Sequence, residues 1–153
     1  MIRDREIQLF SEGMNFAKEE FFLDAISKME ELQNDFPNSE LIDDAIYNIG
    51  LCYFNMNQFE KAIKYFKKVI DEFPDGTISV LNGANEYGNT GAKCWYAIMN
   101  CNLAMGRVDN AKDALKELAN YKDSHILQND EKKITYEELA KNAFNLFENQ
   151  TTK

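Results

Sequence analysis

The chain has 153 residues, a formal net charge of −9 and a pI near 4.7, which suits a single domain able to bury a core without disulfides or metals. An acidic balance of this size disfavours a nucleic-acid or anionic-membrane surface, because phosphate-rich partners are held by Lys and Arg. Cys52, Cys94 and Cys101 form no CxxC pair and the single His125 lies far from them in sequence, so no metal set and no cofactor is implied.

Read from its start, "MIRDREIQLF" carries charges where a secretory leader needs an apolar run. No stretch approaches the roughly 18 apolar residues of a membrane span. The expected location is the cytoplasm, with reduced thiols and no membrane insertion; a periplasmic location would require a signal peptide already removed ahead of Met1.

Internal repetition organises most of the chain. The only two prolines, Pro37 and Pro74, lie 37 residues apart, as do Gly13 and Gly50, Phe16 and Tyr53, Ala25 and Ala62, and Ile26 and Ile63. "GMNFAKEEFFLDAISKMEELQNDFP" therefore lies over "GLCYFNMNQFEKAIKYFKKVIDEFP" without a gap, with identities at small and apolar positions. In the second copy Ile46, Ile49, Gly50 and Tyr53 form one helical stripe and Phe59, Ala62, Ile63, Phe66, Val69 and Ile70 another. The break at "NMNQ" makes this a helix–turn–helix hairpin, closed by its proline. Ser39, just past the first proline, is the expected cap of the next helix.

These residues resemble the tetratricopeptide repeat. The second copy supplies Ile46, Ile49, Gly50, Tyr53, Ala62, Phe66, Val69 and Pro74 at the family's positions. The first supplies Leu9, Gly13, Phe16, Ala25, Met29, Leu32 and Pro37, with Glu12 where Leu is usual. A degenerate third copy, "CWYAIMNCNLAMGRVDNAKDALKEL", supplies Trp95, Ile98, Ala111, Leu115 and Leu118, with Met99 for the glycine, Asn102 for the aromatic and Asp123 for the proline. The resemblance implies an all-α fold: one domain over 1–153, a right-handed helical-hairpin solenoid of three repeats, about 6–38, 39–75 and 90–123. It also explains Gly50, whose helix interior position costs roughly 1 kcal/mol relative to alanine. In the family this small residue sits where the two helices of a repeat cross, here expected against Ala62, with Gly13 against Ala25.

Two segments depart from the pattern. The glycine-rich insertion 75–92, "DGTISVLNGANEYGNTGA" in its core, is expected as a mobile loop with at most a short helical turn, either tolerated or touching a partner. Over 134–150, "TYEELAKNAFNLF" begins with Thr135 and Glu138 in capping-box spacing, and Tyr136, Leu139, Ala140, Ala143, Phe144 and Phe147 share one apolar face. This reads as a helix covering the open end of the stack; the alternative is a swap into a neighbouring copy.

Enzymatic chemistry finds no motif. There is no phosphate-binding glycine loop and no Ser-His-Asp arrangement, and His125 in a polar segment reads as a surface residue. Glu19–Glu20, Glu30–Glu31 and Asp43–Asp44 are consecutive and read as solvated helix faces. Cys52 and Cys101, at one repeat position, and Cys94 read as core packing.

Binding remains. The family's groove is lined by the first helix of each repeat, which implies a strip of Phe10, Tyr47 and Tyr96 with Met14, Leu51, Phe54 and Leu103, and polar Asn48, Asn55, Asn100 and Lys93 between them. Such a strip suits an apolar-anchored extended peptide or an amphipathic helix of a protein partner. The family's clamp for acidic chaperone tails needs several cations, whereas Phe10, Met14, Asn48, Lys93 and Ala97 stand at its places; a clamp with one cation is weak. The expected function is a non-enzymatic adaptor. Its alternatives are a homo-oligomeric scaffold subunit and a bacterial envelope-associated assembly protein, the latter because "FPNSELIDDAIYNIG", in repeats spaced at 37 residues, resembles repeats of bacterial periplasmic and outer-membrane assembly proteins.

Overall fold

A computed structural model describes residues 3–79 and 85–151. Six helices form three hairpins: α1 (Asp4–Lys18) with α2 (Phe22–Asp35), α3 (Ile42–Asn55) with α4 (Phe59–Glu72), and α5 (Thr90–Ala104) with α6 (Val108–Glu117), the last extended by a 3-10 turn at Leu118–Asn120. The second helix of each hairpin packs on the first helix of the next, α2 on α3 and α4 on α5. That order makes the chain an all-α stack of helical hairpins.

The hairpin turns repeat atom for atom. Each places one residue in the left-handed region, Glu20 (φ 66°), Asn57 (φ 61°) and Gly106 (φ 73°). The next residue's N–H then reaches back to the first helix: Phe21 to the Phe16 carbonyl, Gln58 to that of Tyr53 and Arg107 to that of Asn102, at 2.8, 2.9 and 2.8 Å. These bonds satisfy carbonyls that the helix end would otherwise leave open. The third copy, whose side chains are the most degenerate, keeps the same backbone and has the residue best suited to it, a glycine.

At the helix crossings the glycines face bulkier partners than the sequence suggests. A Cβ on Gly50 would stand 2.5 Å from Cε1 of Phe66, and one on Gly13 would stand 2.7 Å from Cε of Met29 and 3.4 Å from the Ala25 carbonyl. The expected partner Ala62 is buried, but it is Phe66, one turn further along α4, whose ring lies against the glycine. Phe66 is fully buried and joins Ile46, Ala62 and Val69 in the larger core cluster; Leu9, Ala25, Met29, Leu32 and Ile49 form the other. Cys52, Cys94 and Cys101 are free and buried, and burial pushes the thiols up, to about 11 at Cys52 and about 12 at Cys101.

Ser39 does not cap α3 directly. Its Oγ accepts the N–H of Leu41, one residue before the helix, at 3.2 Å.

The described part of the insertion is paired backbone rather than free loop. Thr77 bridges Asn89, and β1 (Glu86–Tyr87) pairs antiparallel with β2 (His125–Leu127), which pairs with β3 (Lys133–Thr135). Asn89 fastens the end of the insertion: its side chain accepts Gly91 N–H at 2.7 Å to cap α5 and donates to the Pro74 carbonyl at 2.8 Å. Gly88 (φ 110°) lies so close to Ser124 that a Cβ would meet its Oγ at 2.5 Å. The Gly83 portion of the insertion lies outside the described residues. His125, read as a surface residue, is half-exposed in β2, with its ring stacked on Tyr87 at 5.4 Å.

The sheet delivers the chain to α7 (Tyr136–Thr151). Thr135 Oγ1 accepts the Glu138 N–H at 3.1 Å, capping its first turn. Tyr136, Ala140 and Phe144 are buried, and α7 packs on α5 and α6 of its own chain.

Because the Gly50 crossing has no room for a methyl group beside the Phe66 ring, Gly50→Ala is expected to lower unfolding stability by about 1–3 kcal/mol despite its better helix propensity. Denaturant titration measures this; an unchanged or raised midpoint would contradict the crossing.

Candidate functional site

The first helices of the hairpins present one common face, and on it lies a hollow of about 330 Å³ lined by Phe10, Met14, Lys18, Asp44, Tyr47, Asn48, Leu51, Ser79, Glu86 and Lys93. Helix α1 supplies the apolar wall of Phe10 and Met14, four residues apart on one face, and α3 supplies Tyr47 and Leu51 by the same spacing, with Asn48 beside them. Six of the residues expected to line a groove, Phe10, Met14, Tyr47, Asn48, Leu51 and Lys93, therefore meet around one cavity.

Phe54, Tyr96, Asn100 and Leu103 do not line it. The Phe54 ring packs edge-on against Phe59 at 5.4 Å, inside its own hairpin turn. Tyr96 faces Tyr136 of α7, with ring centroids 6.2 Å apart, and Leu103 is buried. Asn100 is half-buried. The third repeat's share of the face is taken up by α7 and β1, so the open cavity belongs to the first two repeats and is bounded by Lys93.

Polar groups at this boundary are tightly committed. The Lys93 ammonium pairs with the Glu86 carboxylate at 2.5 Å and stands 4.3 Å from the centre of the Tyr47 ring, a cation–π contact. Lys93, the one cation expected for a carboxylate clamp, is thus neutralised within the chain. Burial, with Glu86 next in effect, pushes the Tyr47 phenol well above its usual range; the phenol stays neutral.

Asp43 and Asp44 correct the sequence reading. Neither is a solvated helix face: both are 4% exposed. The Asp43 carboxylate accepts the Thr90 hydroxyl at 2.6 Å and lies so near Gly76 that a Cβ there would stand 2.6 Å from Oδ2. Asp44 Oδ1 accepts the Ser79 N–H at 3.1 Å, while its Oδ2 is buried with no hydrogen-bond partner among the described residues. Burial first, and the neighbouring Asp43 charge second, raise Asp44 to about 7. Burial also raises Asp43.

Lys18, Asp44, Ser79 and Glu86 were missed as site residues. For Asp44 a signal existed: it precedes Tyr47 by three residues, as Lys93 precedes Tyr96. Ser79 and Glu86 carried none, because the insertion has no repeat register.

A second hollow of about 350 Å³ lies between α4, α5 and α6, with Ile63, Trp95, Ile98 and Asn102 among its lining residues. Its Arg107 is paired with Glu60 at 2.5 Å and Asn102 donates to the Ile98 carbonyl at 3.0 Å. Among the described residues no group of three or more His, Cys, Asp or Glu could hold a metal ion, and no helix is long and apolar enough to cross a membrane.

Residues 44–75 match one tetratricopeptide repeat family model and residues 93–124 match another. These spans coincide with α3–α4 and with α5 through the 3-10 turn. No curated protein matches the chain.

The raised Asp44 carboxyl ties stability to pH. Its folded state favours the proton, so its contribution is complete below the ordinary carboxylate range and is lost as pH rises through about 7. The wild-type melting temperature is expected to fall between pH 5 and pH 8, and Asp44→Asn, which keeps an acceptor for Ser79, is expected to flatten that fall. Thermal unfolding across this range decides it; parallel curves for the two proteins would contradict the buried carboxyl.

Proposed function

We propose that this tetratricopeptide-repeat chain is a protein-interaction adaptor that holds an apolar-anchored segment of a partner, extended or helical, in the hollow between its first two hairpins. Tetratricopeptide repeats generally mediate protein–protein interaction and are generally non-enzymatic. The observation that carries the reading here is the convergence of Phe10, Met14, Tyr47 and Leu51 around one open cavity with Asn48 at its side. Apolar and aromatic walls supply affinity when a partner side chain excludes water from them. Asn48 donates its amide N–H to the Asp44 carbonyl at 2.8 Å, which fixes the side chain at the cavity.

The neutralisation of Lys93 by Glu86 argues against an acidic tail as the occupant. It argues for a segment whose contacts are mainly apolar. We place the adaptor in the cytoplasm, a reading that three free cysteines accommodate.

The test uses two half-exposed cavity residues that are not in the buried core. A photo-crosslinking residue at position 14 or 51 is expected to capture a partner from native lysate, and one at Asp113 on α6 is not. Met14→Glu with Leu51→Glu is expected to weaken the captured partner's binding at least about tenfold, about 1.4 kcal/mol, with an unchanged fold. Equal binding by the double variant would overturn the assignment.

A further inference from the structure

We propose that the hollow selects partners through a basic side chain, whose aliphatic stem lies along Phe10, Met14, Tyr47 and Leu51 and whose guanidinium or ammonium head reaches the Asp44 carboxylate. This rests on the hollow being the partner site and names the chemistry it takes.

The charges that line the cavity are Lys18, Asp44, Glu86 and Lys93. Glu86 and Lys93 neutralise each other at 2.5 Å. Lys18 is exposed at the end of α1, where water screens it. Asp44 is the carboxylate at the cavity with no cation bonded to it among the described residues, and its Oδ2 lacks even a hydrogen-bond donor. A buried carboxylate in that state is costly: the Ser79 N–H, the more distant Lys93 charge and the first-turn dipole of α3 favour it, but burial and the neighbouring Asp43 charge outweigh them. A cation arriving at the cavity side of the Asp44 carboxylate supplies the opposite charge that the chain does not.

The walls fit the rest of such a side chain. Lys and Arg carry long apolar stems that pack along hydrophobic surface while the head finds its charge, and the Met14 thioether adapts to an unbranched stem. An acidic or carboxylate-ended segment would meet Asp44 and Glu86 instead. At long range the net charge of −9 draws basic segments toward the chain and repels acidic ones.

The experiment is a titration of the full chain at pH 8, on the ionising side of the raised Asp44 carboxyl, followed by the backbone amide signals of Tyr47, Asn48 and Ser79. The probes are N-acetyl-arginine N-methylamide and its neutral counterpart built on citrulline. Saturable shifts are expected with the arginine probe, about tenfold weaker with citrulline, and the arginine preference is expected to vanish in Asp44→Asn. Equal affinity of the wild type for both probes overturns the inference without any variant. So does an arginine preference that survives in Asp44→Asn, or the absence of saturable shifts with either probe. If the arginine probe fails while Met14→Glu with Leu51→Glu still releases a captured partner, the basic-side-chain inference falls and the adaptor reading stands.

Discussion

Two adjacent carboxylates in the first turn of α3 hold the insertion against the repeat stack, and the shape of the concave face depends on them. Asp43 takes the Thr90 hydroxyl at the start of α5 and packs against Gly76. Asp44 takes the backbone N–H of Ser79. Consecutive helix residues point about 100° apart, so the two carboxylates reach different parts of the same segment, one near its beginning and end, the other further in. The helix N-terminus is where negative charge is best tolerated. Even there, two neighbouring buried acids oppose each other, which is why burial and mutual repulsion together keep Asp44 partly protonated near neutrality.

Fixing the insertion there has a consequence for the groove. It carries Glu86 to Lys93 and brings β1 beside β2, so that the sheet and Tyr136 of α7 occupy the face of the third repeat. A stack of three equivalent hairpins would offer three equivalent stretches of groove. Here the first two remain open and the third has become the floor for the chain's own C-terminal helix. The cation that register places in the groove is spent on an internal pair, leaving apolar walls and an unsatisfied acid.

Much of this was legible in the residues. The interval between Pro37 and Pro74 pointed to the first two hairpins, and the helical stripes of the second included its buried Ile46, Ile49, Ala62, Phe66 and Val69. Backbone repetition extends further than side-chain repetition: Glu20, Asn57 and Gly106 share a conformation although they share no chemistry. The partner of Gly50 was misplaced by one helical turn, because register identifies which helix crosses and not which side chain fills the crossing. The acidic pair was misread because adjacency says only that two side chains diverge; whether either meets water depends on the insertion, 35 residues away for Asp44 and Ser79. The sheet was invisible for a related reason. Strands of two or three residues carry no alternation to detect, and their pairing joins segments that the repeat pattern does not cover.

The central structural claim is that the insertion is part of the stack and thereby sets where the groove ends. Residue-resolved amide hydrogen exchange tests it most directly, through Ile78, bonded to the Gly88 carbonyl, Ser79, bonded to Asp44, and Thr90, bonded to the Gly76 carbonyl. The account predicts that these three amides are protected, and that the Ser79 amide loses protection in Asp44→Ala while amides in the interior of α1 and α2 do not. Exchange of all three at the rate of an unstructured chain would contradict it.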